Sequence, residues 1–255
     1  MTQLMDLHGR VAIVTGGNGG IGLGMARGLA AGGAALVVAG RNAAKNAAAA
    51  QALRALGAQV LAVEADVTQE AACGALVRAA LDRFGRLDIL VNNAGINIRK
   101  PPQDYTLDEW TTVMDANLTS AFLCSKAAYR AMVEGGGGKI INTGSMTSIF
   151  GAGFAAPYSA SKGGIVQLSK ALACAWAKDN IQVNAVLPGW IDTDLTRQAR
   201  KDLPGLHERV LARTPASRWG EPADFAGIAI FLASRASDFV TGAVIAVDGG
   251  YSSQA

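Results

Sequence analysis

Short apolar runs alternate with longer helix-forming stretches along most of the chain. The predicted strands cover residues 10–15, 34–39, 60–63, 87–91, 139–142, 183–187 and 243–247. The predicted helices cover residues 21–31, 42–56, 68–84, 107–132, 158–178 and 223–233. Strands that are apolar on both faces and separated by helices indicate a parallel sheet covered on both sides. The pattern therefore predicts an α/β fold with a doubly wound, seven-stranded parallel sheet.

One stretch interrupts this alternation. Residues 192–218 are polar and contain Pro204 and Pro215, and the pattern assigns them no helix or strand. No linker or change of composition divides the rest of the chain, so residues 1–255 are predicted to form a single domain.

Composition narrows the class of protein. Half of the 255 residues are hydrophobic, which excludes disorder, and a net charge of +3 is too small to indicate a nucleic-acid partner. Three cysteines without a CxxC pair and two histidines argue against a disulfide framework and against a metal centre. The chain starts with no signal-peptide pattern, and no apolar run approaches the roughly 18 residues that span a bilayer. A cytoplasmic protein without a membrane segment is expected.

A glycine-rich turn follows the first predicted strand. Residues 15–22 (TGGNGGIG) space the glycines as Gly-x3-Gly-x-Gly where a strand should turn into a helix. Glycines let the backbone approach a pyrophosphate closely, and the N–H groups of the helix start bind the anion. No Gly-Lys-Ser/Thr follows, so this is not the phosphate loop of NTPases. The turn predicts a Rossmann-like dinucleotide site. Its predicted contacts are Gly16, Asn18, Gly19, Gly20, Ile21 and Gly22.

The end of the second predicted strand should meet the adenosine ribose of the cofactor. The chain has Arg41 and Asn42 there instead of an acid, and a guanidinium suits a 2′-phosphate. This favours NADP(H) over NAD(H), unless Arg41 is only a solvated residue at a helix start. After the third strand, Asp66 and Val67 are candidate contacts for the adenine, although Asp66 could equally cap the next helix.

Further polar residues follow the fourth and fifth predicted strands. Tyr158 and Lys162 form a Tyr-x3-Lys pair, which one helical turn places on the same face. An ammonium beside a phenol favours the phenolate, which would lower the tyrosine pKa toward neutrality and make it a usable acid/base. Ser145 ends the fifth strand, Asn92-Asn93-Ala94-Gly95 ends the fourth, and Asn117 lies in the long helix between them.

Together these motifs resemble the short-chain dehydrogenase/reductase family over residues 9–251. The resemblance implies an oxidoreductase that interconverts a ketone and a secondary alcohol, with hydride transfer by the cofactor and proton transfer by Tyr158. It also implies that Ser145 holds the substrate oxygen, that Lys162 binds the nicotinamide ribose, and that Asn117 holds a water in the proton relay. The further cofactor contacts that it implies are Asn93, Ala94, Gly95, Pro188, Gly189, Ile191 and Thr193.

Local strings resemble the gluconate 5-dehydrogenase and 2-deoxy-gluconate 3-dehydrogenase branch of this family, among them residues 145–148, 99–100 and 213–220. The resemblance implies that residues from about 190 to 218 cover the substrate. Between residues 197 and 218, six Lys or Arg residues stand against two Asp or Glu. Such a cover would attract an anionic substrate, for example a sugar acid, unless it is a solvated helix with surplus arginines. The candidate substrate contacts are Arg99, Lys100, Met146, Phe150, Phe154 and Trp190.

Alternative functions stay open at this point. The aromatic residues among the candidate contacts would also suit a hydrophobic ketone, and an acidic thioester carrier would also favour a basic rim. A broad carbonyl reductase or a 3-oxoacyl-thioester reductase is therefore the alternative. The complete catalytic set argues against a dinucleotide sensor without activity. The resemblance implies a homotetramer that acts on a small carbonyl or alcohol substrate, while the composition, the charge and the short apolar runs indicate no metal and no nucleic-acid or membrane partner.

Overall fold

The computed structural model describes residues 2–254, which contain a seven-stranded parallel sheet. The strands are β1 (Val11–Thr15), β2 (Ala35–Gly40), β3 (Val60–Glu64), β4 (Ile89–Asn92), β5 (Gly138–Thr143), β6 (Ile181–Pro188) and β7 (Val244–Val247). Their order across the sheet is β3-β2-β1-β4-β5-β6-β7. The predicted doubly wound parallel sheet is confirmed, and each observed strand overlaps a predicted one. Strands β1, β4, β5 and β6 are buried along their whole length, which explains why most of their positions are apolar.

Helices cover both faces of this sheet. They are α1 (Gly20–Ala31), α2 (Ala43–Arg54), α3 (Glu70–Phe84), α4 (Leu107–Met114), α5 (Ser120–Glu134), α6 (Ala156–Trp176), α7 (Asp194–Asp202), α8 (Leu206–Arg213) and α9 (Ala226–Ala233). Helices α1, α2 and α9 cover one face in a core that includes Met25 and Leu232. Helices α3, α5 and α6 cover the other face in a core that includes Leu76 and Met132.

The strand order reverses at β1, which lies between β2 and β4. Thr15, at the carboxyl end of β1, is in register with Ala39 on one side and with Asn92 on the other. In open parallel sheets, ligands bind in the crevice outside the carboxyl ends of the strands at such a reversal. The topology therefore places the site of this protein next to Thr15.

Helix α1 packs closely against the segment that leads into α9 because it carries glycine at the crossing. A Cβ on Gly24 would lie 1.9 Å from the carbonyl oxygen of Pro222, and one on Gly28 would lie 2.5 Å from that of Ala226. No larger residue fits at either position without a shift of the backbone. This contact fixes the position of α1 and of the glycine turn that precedes it.

Two regions differ from the sequence-based expectation. The predicted helix 107–132 is interrupted by a π-helical segment, Asp115–Thr119, between α4 and α5. The polar stretch 192–218 contains two helices, α7 and α8, separated by Gly205 with a φ of +70°. Both helices are short, and the prolines and the many charged residues of this stretch led the sequence pattern to miss them. Within residues 2–254, no helix is long and apolar enough to cross a membrane.

Candidate active site

The glycine turn between β1 and α1 offers backbone N–H groups to an anion. Gly16 and Gly20 have φ values of +63° and +49°, in the left-handed region that favours glycine. Gly19 precedes the first residue of α1, and no side chain caps the helix there. The N–H groups of the first turn are therefore left for a ligand, and the helix dipole favours a negative one.

The loop after β4 holds this turn in shape. The side-chain amide of Asn93 donates to the carbonyl oxygens of Thr15 and Gly16, both at 3.2 Å. The backbone N–H of Asn93 donates to Thr15 Oγ1 at 3.0 Å. A Cβ on Gly22 would lie 2.4 Å from Asn93 Nδ2 and 2.4 Å from the carbonyl oxygen of Gly16. The turn and the loop thus fit together only with glycine at position 22.

A cavity of about 590 Å³ extends from the glycine turn along the carboxyl ends of β1, β4, β5 and β6. Its volume lies in the range of cofactor pockets. The predicted cofactor contacts that line it are Gly16, Asn18, Gly19, Gly20, Ile21, Asn93, Ala94, Gly95, Tyr158, Lys162, Pro188, Gly189, Ile191 and Thr193. The sequence did not single out Lys45, Thr143 or Thr196, which also line this cavity. Lys45 lies in the first turn of α2, so its closeness to Arg41 was the available signal.

Some predicted cofactor contacts lie outside this cavity. They are Gly22, Arg41, Asn42, Asp66 and Val67. Gly22 packs behind the turn, and Val67 is buried in the core. The Asn42 side chain accepts a hydrogen bond from the backbone N–H of Lys45 at 2.9 Å and caps α2. That capping role follows from the position of Asn42 at the start of a helix.

Asp66 and Arg41 lie at neighbouring strand ends. Asp66 Oδ1 accepts hydrogen bonds from the hydroxyl of Thr68 at 2.8 Å and from its backbone N–H at 3.1 Å. These bonds, with a smaller effect from the Arg41 charge, lower the pKa of Asp66. Asp66 thus supports the turn that leads into α3. This role is close to the predicted alternative, in which Asp66 caps that helix. Arg41 is exposed where β2 ends.

The predicted acid/base residues come together between β5 and α6. Tyr158 and Lys162 lie in the first two turns of α6, and Ser145 begins a short 3-10 turn, Met146–Ser148. The Lys162 ammonium donates to the carbonyl oxygen of Thr143 at 2.7 Å. Its Nζ lies 5.7 Å from the centre of the Tyr158 ring. Lys162 is 4% exposed, so this ammonium is held inside the protein rather than in water.

Asn117 lies in the π-helical segment and is buried. Its side-chain amide donates to the carbonyl oxygen of Ile96 and to the hydroxyl of Ser161, both at 3.0 Å. Its Oδ1 accepts from the backbone N–H of Ile96 at 2.8 Å. Asn117 therefore ties the loop after β4 to α6, and π-helical turns are often found at functional sites. Its predicted contact with a water stays a prediction.

Burial shifts the pKa values of Tyr158 and Lys162 in opposite directions. It raises the pKa of Tyr158, and the Ser145 hydroxyl and the Arg99 charge oppose this rise only in part. It lowers the pKa of Lys162 to about 8. The sequence led us to expect a lowered tyrosine pKa, but desolvation outweighs the groups that favour the phenolate. The phenol therefore keeps its proton at neutral pH.

A second cavity, of about 520 Å³, meets the first at Ser145 and Tyr158. Helices α7 and α8 form one of its walls. The predicted substrate contacts that line it are Arg99, Met146, Phe150, Phe154 and Trp190. The sequence did not single out Arg209, Arg213 or Tyr251, which also line it. The two arginines belong to the basic segment. They line the second cavity because α8 forms, and the sequence pattern did not predict this helix.

The structure does not bring Lys100 into this second cavity. Its ammonium forms an ion pair with Glu109. Glu109 also closes the capping box of α4, because its side chain accepts from the backbone of Thr106 while its own N–H donates to the Thr106 hydroxyl. Lys100 is therefore attached to the start of α4.

Aspartates on either side of residues 197–218 form ion pairs with several of the basic residues in that segment. Arg197 lies 3.1 Å from Asp192, with which Arg200 also pairs, and Arg218 lies 2.7 Å from Asp224. The positive charge that faces the second cavity from this segment is that of α8. Among the described residues, no three His, Cys, Asp or Glu side chains come together in a group that could hold a metal ion.

Comparison with known proteins agrees with this geometry. The family model described as enoyl-(acyl carrier protein) reductase matches residues 16–252, a range that includes the glycine turn and the Ser145, Tyr158 and Lys162 set. The chain belongs to the short-chain dehydrogenase/reductase family. It is thus an oxidoreductase that acts on CH–OH groups with a nicotinamide cofactor, as the motifs predicted.

Several relatives in this family are similar over their whole length. The 2-dehydro-3-deoxy-D-gluconate 5-dehydrogenase of Escherichia coli (strain K12) is 43% identical over 247 residues, which cover 96% of each chain. The 5-keto-D-gluconate 5-reductase of the same strain is 39% identical over 250 residues, which cover 98% of each chain. The crystal structure of a gluconate 5-dehydrogenase from Burkholderia cenocepacia J2315 in complex with NADP and tartrate superposes with a TM-score of 0.94 at 41% identity, over 100% of this chain and 99% of that one. The predicted resemblance to the gluconate dehydrogenase branch is confirmed.

Proposed function

We propose that this protein reduces the ketone of a small sugar acid with NADPH, and oxidises the corresponding alcohol in the reverse direction. The observation that carries this proposal is the junction of the two cavities at Ser145 and Tyr158. A cofactor in the first cavity and a carbonyl compound in the second would meet at these hydroxyl groups. The relatives that are named for acting on gluconate derivatives support the substrate class.

The residues of the first cavity fit a dinucleotide. The uncapped start of α1 suits the pyrophosphate, and the close fit of Gly16 and Gly22 against Asn93 leaves the backbone of the turn bare for it. Arg41 is exposed at the end of β2, where a 2′-phosphate would lie. The relative whose structure contains NADP supports the same cofactor preference. When bound, NADPH supplies the hydride to the carbonyl carbon of the substrate.

The side chains at the junction supply the proton. Tyr158 donates its phenolic proton to the carbonyl oxygen as the alcohol forms, and its raised pKa keeps that proton in place at neutral pH. Ser145 orients the carbonyl oxygen by a hydrogen bond. The buried ammonium of Lys162 stabilises the phenolate that remains. Asn117 acts through its bonds to Ile96 and Ser161, which fix the loop beside the junction.

Arg99 is the residue that favours an acidic substrate. It lines the second cavity, its side chain is 13% exposed, and its Nε is buried without a hydrogen-bond partner in the described chain. A buried guanidinium N–H without an acceptor is costly, so a carboxylate of the substrate would complete its hydrogen bonding. Phe150, Phe154 and Trp190 surround the same space and would pack on the carbon chain.

The test is the initial rate of NADPH oxidation with 5-keto-gluconate, a 3-deoxy-2-keto sugar acid, a neutral aryl ketone and acetoacetyl-CoA. We expect turnover of the sugar acids, and its loss in Tyr158→Phe without a change in NADPH affinity. Tyr129→Phe is the matched control, because the Tyr129 hydroxyl donates to Asp179 at 2.8 Å and lines neither cavity. Normal activity of Tyr158→Phe would refute the assigned role. Faster turnover of the neutral ketone would make the protein a broad carbonyl reductase.

We also propose that the protein forms a homotetramer. Large apolar side chains are exposed along α4 and α5, among them Leu107 at 77% and Phe122 at 44%, and such a surface suits a contact with a second copy of the chain. Light scattering at micromolar concentration checks the mass, and a monomer would contradict the proposal. The cytoplasmic location stays a prediction.

A further inference from the structure

The second cavity carries more positive charge than a single substrate carboxylate would balance. Three arginines line it, Arg99, Arg209 and Arg213, and among the described residues no Asp or Glu does. The acid nearest to this set is Asp202, whose Oδ2 lies 3.7 Å from Arg99 Nη1, outside the cavity lining. A concave surface lined by charges of one sign concentrates ligands of the opposite sign.

The arginines lie in two parts of the cavity. Arg99 lines the second cavity together with Tyr158, the residue at which this cavity meets the cofactor cavity. Arg209 and Arg213 belong to α8 and line the second cavity but not the cofactor cavity. A substrate whose ketone is held at Tyr158 and whose first anion meets Arg99 would extend its other end toward α8.

Arg213 is arranged to receive that other end. Its guanidinium carbon lies 5.1 Å from the centre of the Phe150 ring and 4.5 Å from that of Tyr251. The two rings contact each other edge to face, with their centres 6.5 Å apart. Stacking on rings fixes the plane of a guanidinium and leaves its N–H groups at the edge for an anion. In the described chain, no carboxylate pairs with Arg213.

We propose that the preferred substrate is a keto sugar acid with a second anionic group at its far end, and that Arg213, assisted by Arg209, selects that group. The inference rests on the proposed reduction of a sugar acid and adds the substrate class. The second anion is either a carboxylate, as in an aldaric acid, or a phosphate ester. Both accept hydrogen bonds from the edge of a guanidinium. The hydride and proton steps at Tyr158 are the same for all these compounds.

The experiment compares kcat/KM for three keto acids of the same carbon skeleton. These are 2-keto-gluconate, whose one carboxylate adjoins the ketone, 2-keto-glucarate, which adds a carboxylate at the far carbon, and 2-keto-gluconate 6-phosphate, which adds a phosphate there. A charge-assisted contact made by one compound and absent in another should favour the dianions by about tenfold or more. Preference for the dicarboxylate or for the phosphate identifies the source of the second anion. Equal values for all three compounds would overturn the proposal, and so would a preference for acetoacetyl-CoA.

The variants locate the effect on Arg213. Arg213→Met keeps an unbranched chain between the two rings and removes the charge, so we expect the kcat/KM advantage of the dianions over the monoanion to fall to less than about threefold. Arg213→Lys should retain part of the advantage. Lys201→Met is the matched control, because Lys201 is an exposed cation of the same covering segment that lines neither cavity. An equal loss in Lys201→Met would mean that the general charge of the segment, not Arg213, attracts the substrate.

A binding measurement separates this inference from the proposed reaction. Calorimetry follows 2-keto-glucarate binding to the protein loaded with NADP+, in the wild type and in Arg213→Met. We expect a dissociation constant about tenfold higher in the variant. If no keto acid is turned over but this difference is found, the reaction is wrong and the anion site stands. If sugar acids are turned over but the difference is absent, the anion site is wrong and the reaction stands.

Discussion

Replacing Gly22 with alanine tests whether the glycine turn is the cofactor site. The new Cβ would lie 2.4 Å from both Asn93 Nδ2 and the carbonyl oxygen of Gly16. Ordinary contacts between such atoms lie near 3.5 Å, so the start of α1 must move by about 1 Å relative to the turn and the loop after β4. That movement displaces the N–H groups that would bind the pyrophosphate.

Two opposing effects set the change in the free energy of unfolding. Overpacking of this kind costs about 1–3 kcal/mol. Alanine in a helix gains up to about 1 kcal/mol over glycine, which offsets part of that cost. A net loss of about 1–2 kcal/mol lowers the melting temperature of a chain of this size by about 2–8 °C. We expect the dissociation constant for NADPH to rise about tenfold or more, because the displaced amides contact the ligand directly.

Thermal unfolding and NADPH fluorescence titration measure the two effects separately. Gly227→Ala in α9 is the control, because a Cβ there meets no atom within 4 Å and alanine favours the helix. We expect its melting temperature to be unchanged or raised and its NADPH affinity to equal that of the wild type. A Gly22→Ala protein that melts early but binds NADPH normally would refute the placement of the pyrophosphate at this turn.

Three other predictions follow from single groups. Arg41→Ala should raise the dissociation constant for NADPH about tenfold and that for NADH less than about twofold, by fluorescence titration; equal effects would show that Arg41 does not bind the 2′-phosphate. Since burial raises the pKa of Tyr158, the phenol keeps its proton and the rate of reduction should change little between pH 6 and 8; it should fall above pH 8, where Lys162 loses the charge that stabilises the phenolate; a rate of reduction that stays level from pH 8 to 10 would contradict this. Asp88 is buried but accepts hydrogen bonds from Arg86, which hold its pKa below the ordinary value, so this stabilisation is present at neutral pH and lost in acid. Asp88→Asn should lower the unfolding free energy by about 2 kcal/mol at pH 7 and by less at pH 3, in urea titrations; an equal loss at both pH values would refute the ionic contribution.

The sheet was predictable because its physical cause is local. Strands buried on both faces are apolar at most positions, so each appears as a mainly apolar run in the sequence, even where a buried polar residue such as Asn142 or Asn184 interrupts it. The glycine turn was predictable for a similar reason, since a left-handed backbone at Gly16 and a close approach at Gly22 admit no other residue. The closeness of Tyr158 to Lys162 was predictable from spacing, because one helical turn separates them, whereas the roles of Ser145 and Asn117 follow only from the family resemblance.

Other features depend on contacts between distant segments. The π-helical turn around Asn117 changes the number of residues per turn without changing which side chains are apolar. Lys100 is basic and close in sequence to Arg99, but its ammonium pairs with Glu109 at the start of α4. The pKa of Tyr158 depends on how much water the folded chain excludes, which no short motif records.

The residues that carry out the reaction and those proposed to select the substrate lie in different parts of the structure. Lys162 and Asn117 are buried and bonded to backbone atoms of neighbouring elements, so substitutions there would disturb both the fold and the reaction. Arg213, in contrast, is an exposed residue on a short helix and forms no ion pair with a described carboxylate, and exposed charges contribute little to stability. The covering segment can therefore exchange its charges at small cost to the fold. We therefore expect the charges on α8, rather than the acid/base residues, to decide the substrate class of this protein.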